Sequence, residues 1–87
     1  MEIGNELLPD VIKVEPLKNM TIKVFFADGT IKLHDIKPYV KKFEVFSQLL
    51  DPVVFNSVKP AYLGTGVAWN DDIDISPYDI WELGTTV

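Results

Sequence analysis

The stretch from Met20 to Ile36, MTIKVFFADGTIKLHDI, constrains this chain more than any other. Two runs of alternating apolar and polar residues flank Asp28-Gly29, and a period of two marks strands with one buried face. Asp-Gly between such runs is a strong hairpin signal, because a type I′ turn needs φ > 0 at both central positions and these residues tolerate it. With Asp28-Gly29 as a two-residue loop, Phe26 is expected opposite Ile31, Val24 opposite Leu33 and Ile22 opposite Asp35. One face then carries Ile22, Val24, Phe26, Ile31 and Leu33, and the other Thr21, Lys23, Phe25, Thr30, Lys32 and His34. A sheet that is apolar on one side demands a cover.

The cover is expected downstream. Ile36-Lys37-Pro38 ends the strand, and from Lys41 to Leu50 the period changes. Phe43, Phe46, Leu49 and Leu50 fall on one stripe of a helix, which Asp51-Pro52 stops. Upstream, Val11 to Leu17 reads as a first strand with Ile12 and Val14 on one face, and Pro16 confines it to an edge. Together these predict a three-stranded meander, although the residues leave open where the strand 11–17 pairs. Residues 1–8 are expected to fray in part, with Leu7-Leu8 as a short anchor.

The second half reads as shorter pieces. Pro52 to Ser57 suits one helical turn with Phe55 inward. Val58–Leu63 and Val67–Trp69 are expected to form a second hairpin around Gly64-Thr65-Gly66, and Asn70-Asp71-Asp72 a turn before Ile73–Ile75. Ser76 suits an N-cap, Pro77 the first helical position and Asp79 the first turn of a closing helix, with Gly84 as its C-cap. The expected class is α+β: a three-stranded antiparallel meander with a central Asp-Gly hairpin, a covering helix, a second short hairpin and a C-terminal helix. Its 87 residues suit one domain.

Composition removes several functions. The net charge is −5, with eight lysines, no arginine and no cysteine. Nucleic-acid binding needs clustered cations, and arginine is the usual reader of guanine, so direct DNA or RNA binding is not expected. Without cysteine there is no disulfide framework, thiol catalysis or Cys-ligated metal. No signal peptide and no membrane-spanning run is read, so the cytoplasm is the expected compartment.

Candidate sites are sparse. His34 is the sole histidine; neighbouring Asp35 faces the opposite way, so His34 is read as a solvated strand residue. Asp35 itself is expected to take hydrogen bonds from the loop Lys37–Tyr39. Asn70, Asp72 and Asp74 have the spacing of the first ligands of an EF-hand loop, but Ile75 and Trp81 stand where Gly and Glu are needed. Gly64-Thr65-Gly66 lacks the rest of a phosphate loop, and no serine has a base beside it. No enzyme and no cofactor is expected. The function expected is a non-enzymatic protein-interaction module, its surface formed by Phe25, Lys23, Lys32, His34 and Ile36 on the polar face. The alternative is a small-ligand or cation-binding domain built on Asp71, Asp72 and Asp74, with Trp69 beside them.

One resemblance joins these pieces. Phe26, Asp28-Gly29, Asp35, Pro38, then Phe43, Phe46, Leu49, Phe55, Gly66, Trp69, Asp74 and Ser76-Pro77 with Asp79 and Trp81 resemble, in order and spacing, the bacterial family called domain of unknown function 2442. Trp81 stands where a Tyr is usual, and Lys41-Lys42 replaces a glycine often found there. The resemblance implies a small α+β domain without an established activity, and Asp28, Gly29, Asp35, Pro38, Trp69, Ser76, Pro77 and Asp79 as structural residues. It also implies a partner, another small protein, in an arrangement like a toxin–antitoxin pair; the residues themselves, through a free edge strand, leave a second copy of the chain as the other expected partner.

Overall fold

The computed structural model describes residues 8–87, so the expectation for the first residues, Leu8 apart, lies outside the described part. The fold is α+β, built on two antiparallel sheets. The first is the meander, β1 (Val11–Leu17), β2 (Thr21–Phe26) and β3 (Ile31–Asp35), with β1 at one edge beside β2. After β3 come α1 (Lys37–Lys42), a 3₁₀ helix (Glu44–Leu50) and the single turn α2 (Pro52–Phe55). The second sheet is β4 (Lys59–Pro60), β5 (Val67–Asn70) and β6 (Ile73–Ile75) in that order. α3 (Pro77–Leu83) follows, and β7 (Thr85–Thr86) returns to pair with β3 as a fourth strand of the first sheet.

The central hairpin forms, but one residue out of the expected register. Phe25 pairs with Ile31, Lys23 with Leu33 and Ile22 with His34. Ala27, Asp28 and Gly29 make a three-residue loop: the Gly29 N–H donates to Phe26 O at 3.0 Å and the Phe26 N–H to Thr30 O at 2.9 Å. This is a type I turn closed by a glycine bulge, in which only Gly29 takes positive φ (+95°). Asp28 stays at negative φ and uses its carboxylate to accept from the Thr30 N–H at 2.9 Å, which draws its pKa below the usual value. A one-residue slip moves every side chain of β3 to the other face. Asp35, expected inward, is exposed; His34 and Ile36, expected outward, are 3% and 0% exposed.

The expected helix Lys41–Leu50 is also corrected. α1 begins at Lys37, with Pro38 in its first turn, and buries no residue. Phe43 is extended (φ −121°, ψ 120°), and the chain restarts as a 3₁₀ helix that buries Phe46 and Leu49. Three residues per turn keep positions three apart on one line, so these two point inward while Phe43 and Leu50 do not. On β1, Val11 is buried and Ile12 is 62% exposed, because a bulge lies between Val11 and Lys13.

The remaining local signals hold. Asp51 caps α2 through the Val53 N–H, and Phe55 is buried. Ser76 Oγ accepts from the Asp79 N–H at 3.3 Å, with Pro77 opening α3. The second hairpin pairs Pro60 with Val67 across a loop longer than expected, which contains a 3₁₀ turn at Tyr62–Gly64. Ile22, Val24 and Phe26 from the first sheet, Val67, Trp69, Ile73 and Ile75 from the second, and Ile80 of α3 share one core with Phe46, Leu49 and Phe55.

Candidate functional site

The slipped register turns β3 toward a groove. It is about 400 Å³ in volume and is lined by His34 and Asp35 at the end of β3, Pro38, Tyr39, Lys42 and Phe43 along α1, and Asp79 and Leu83 of α3. A second groove of about 250 Å³ adjoins it, lined by Tyr39, Phe43, Val45, Phe46, Asp74, Ile75, Ser76 and Asp79. Tyr39, Phe43 and Asp79 line both, so the two form one furrow between the α1 segment and the start of α3. Its walls are largely apolar: Phe43 is 45% and Leu83 71% exposed there. An apolar concavity with a few converging polar groups is the usual form of a binding site.

Those polar groups are connected. His34 Nε2 lies 2.7 Å from Tyr39 Oη. The Tyr39 ring stacks on Phe46, centroids 5.4 Å and planes 24° apart, which fixes its position. The Asp79 carboxylate lines the same groove, and its charge acts on the phenol. A neutral imidazole and a phenol can make this bond in either sense, Nε2 accepting from the phenol or Nε2–H donating to Oη. Burial, then the charge of Asp79, pushes the Tyr39 phenol up to about 12, so it remains protonated.

Burial likewise pushes the His34 imidazole below its ordinary value, and the opposing charges of Asp79 and Asp35 do not overcome it. The folded pKa is therefore below the unfolded one, near 6.5. Above that pH both states are neutral and the group has no effect. As pH falls below it, the unfolded chain takes up the proton first, and native stability declines through the folded pKa. Asp28 and Asp35 add a similar loss only below their ordinary 3.8. We expect the thermal midpoint to fall as pH drops below 6.5, and His34→Leu to flatten that slope; equal slopes in melts of the two proteins would refute the assignment.

The residues expected to form an interaction surface are not brought together. Lys23 and Phe25 do share the outer face of the first sheet, where the Lys13 and Lys23 ammoniums sit 5.1 and 5.4 Å from the Phe25 centroid. Lys32 is on the opposite face, 5.1 Å from the Trp81 ring and bonded to Thr86 Oγ1 at 2.7 Å. His34 and Ile36 are buried. Asp71, Asp72 and Asp74 do not converge: among the described residues no group of three or more acidic or histidine side chains could hold a metal. The loop is a turn in which Asn70 Oδ1 accepts from the Asp72 N–H at 2.9 Å.

The structural residues take structural places. Asp35 Oδ1 accepts from the Lys37 N–H at 3.0 Å and pairs with Lys37 Nζ at 3.0 Å; these contacts outweigh burial and hold its pKa below the usual value. Trp69 is buried and donates from Nε1 to Phe55 O at 3.0 Å. Asp79, expected only as a helix-start residue, both donates its N–H to the Ser76 cap and brings its carboxylate charge to bear on Tyr39 and His34. Tyr39 was missed. The available signal was His34 itself: once placed inward, a buried imidazole requires a partner, and Tyr39 follows five residues later in the first turn of α1.

Among the described residues no helix is long and apolar enough to cross a membrane. No curated protein and no solved structure matches the chain. A family model described as "Protein of unknown function (DUF2442)" matches residues 11–86, from the first residue of β1 to the last of β7, and the chain belongs to that family.

Proposed function

We propose that this domain is a non-enzymatic protein-interaction module that receives its partner in the furrow beside Tyr39, Phe43 and Asp79. The observation that carries the proposal is exposed apolar surface gathered in one concavity: Phe43, Leu83 and Val45 stand 45%, 71% and 40% exposed along it. Binding rather than catalysis suits its polar groups. Tyr39 holds its proton up to about 12, and His34 is only 3% exposed, beneath the phenol rather than beside a nucleophile. The outer sheet face is a poorer candidate, since the Lys13 and Lys23 ammoniums already sit over the Phe25 ring. One half of a pair resembling toxin and antitoxin is the form of partnership that the family resemblance suggests.

The test is affinity capture from the native host with three baits: the unaltered chain, Phe43→Asp and Phe25→Asp. Phe43 is 45% exposed and meets the core only at the rim, its ring centroid 6.0 Å from that of Phe46, so its variant should melt close to the parent. A stoichiometric partner retained by Phe25→Asp and lost by Phe43→Asp supports the furrow. Loss with Phe25→Asp and retention with Phe43→Asp would move the interface to the sheet and overturn the proposal.

A further inference from the structure

The furrow has a chemical bias. Three carboxylates line it, Asp35, Asp74 and Asp79, against a single cation, Lys42. Asp35 is neutralised by Lys37, but no described lysine forms an ion pair with Asp74 or Asp79. Facing those two carboxylates are the rings of Tyr39, Phe43 and Phe46. An aromatic wall opposite an unpaired carboxylate is the environment a cation seeks, since the ring face and the anion both attract it. The chain supplies its own example: Lys42 Nζ lies 5.6 Å from the Phe43 centroid. Ionised carboxylates only accept, so the furrow asks its ligand for donors.

Resting on the reading of this furrow as a partner site, we infer that it takes a basic segment of another protein, with one arginine laid between the Tyr39–Phe43 rings and the Asp79 carboxylate. Arginine fits better than lysine here. Its planar guanidinium stacks on an aromatic face while its N–H fork serves carboxylates, and it is more weakly hydrated than an ammonium. The net charge of −5 favours the encounter at long range. Lys42 is the competitor already in place.

The experiment uses the whole chain with labelled nona-arginine, nona-lysine and nona-glutamate, followed by fluorescence anisotropy at two salt concentrations. Nona-arginine is expected to bind tightest and nona-glutamate not at all. Asp79→Asn and, separately, Phe43→Leu should each weaken nona-arginine binding by about tenfold, and Lys42→Gln should strengthen it. The double variant Asp71→Asn, Asp72→Asn removes two charges outside the furrow and should change affinity by no more than about twofold. Equal losses in the furrow variants and in that control would show diffuse attraction only and overturn the inference, as would equal affinity for lysine and arginine. Should Asp79→Asn melt early, Phe43→Leu and Asp74→Asn decide the matter. If Phe43→Asp loses the captured partner yet no peptide shows these preferences, the inference fails while the furrow stands as the interface.

Discussion

Gly66→Ala is expected to prevent cooperative folding, whereas Gly29→Ala, at nearly the same backbone angle, leaves a cooperative melt with its midpoint lowered by roughly 4–24 °C. Gly66 has φ +109° and Gly29 φ +95°, so both substitutions place a side chain where L-residues rarely go. That part costs on the order of 1–3 kcal/mol at either site. The surroundings separate them. A Cβ on Gly29 meets nothing within 4 Å, while one on Gly66 would lie 2.2 Å from Ile75 O and 3.2 Å from Pro77 N. Neither obstacle can retreat: Ile75 is paired with Val67 inside the second sheet, and Pro77 opens the capped helix α3. Relief requires separating β5 from β6, and with it much of a net stability that for a small domain is about 5–15 kcal/mol. Circular dichroism melts of the two variants side by side make the check. Midpoints within a few degrees of one another would show that the close approach at Gly66 is not the constraint.

Trp69→Ala carries the next largest expected effect. The ring is 3% exposed, its centroid 6.4 Å from those of both Phe46 and Phe55, and its Nε1–H satisfies the Phe55 carbonyl. Truncating a buried tryptophan costs about 3–5 kcal/mol, from lost transfer energy and the cavity left behind. In a domain this small each kcal/mol is about 4–8 °C of midpoint, so a drop of roughly 15–30 °C follows. Trp69→Phe keeps most of the volume and loses the hydrogen bond, and should cost only about 1–3 kcal/mol. If the phenylalanine variant is as unstable as the alanine one, the bond to Phe55 rather than the packing holds this corner.

Much of the fold was legible because local rules act within a few residues. Ser76-Pro77 opens α3 with a side-chain cap and a residue that needs no N–H, and Asp51 does the same for α2. Pro16 lies in an edge strand. The Asp28-Gly29 pair did specify a hairpin between two half-buried strands. It did not specify which hairpin, because a two-residue loop and a three-residue loop with a glycine bulge accept the same dipeptide. That choice decides the candidate site. In the two-residue register Asp35 would be carried inward, a costly place for a carboxylate. In the observed one Asp35 stays with Lys37 in solvent, Ile36 enters the core, and His34 finds Tyr39.

Phe43, Phe46 and Leu49 illustrate the same division. Their spacing is helical in either an α or a 3₁₀ reading, and only packing against Trp69 and Tyr39 selected the tighter turn and left Phe43 outside it. β7 is two residues long and carries no signal of its own; the open edge of β3 makes it a strand. By itself, then, the sequence determined the class, the turns, the caps and most of the strands, since each depends on neighbours along the chain. The register of the central hairpin, the break at Phe43 and the furrow were decided by the tertiary structure. They depend on which side chains can be buried together, and on Asp79 meeting Tyr39 and His34 from the far end of the chain.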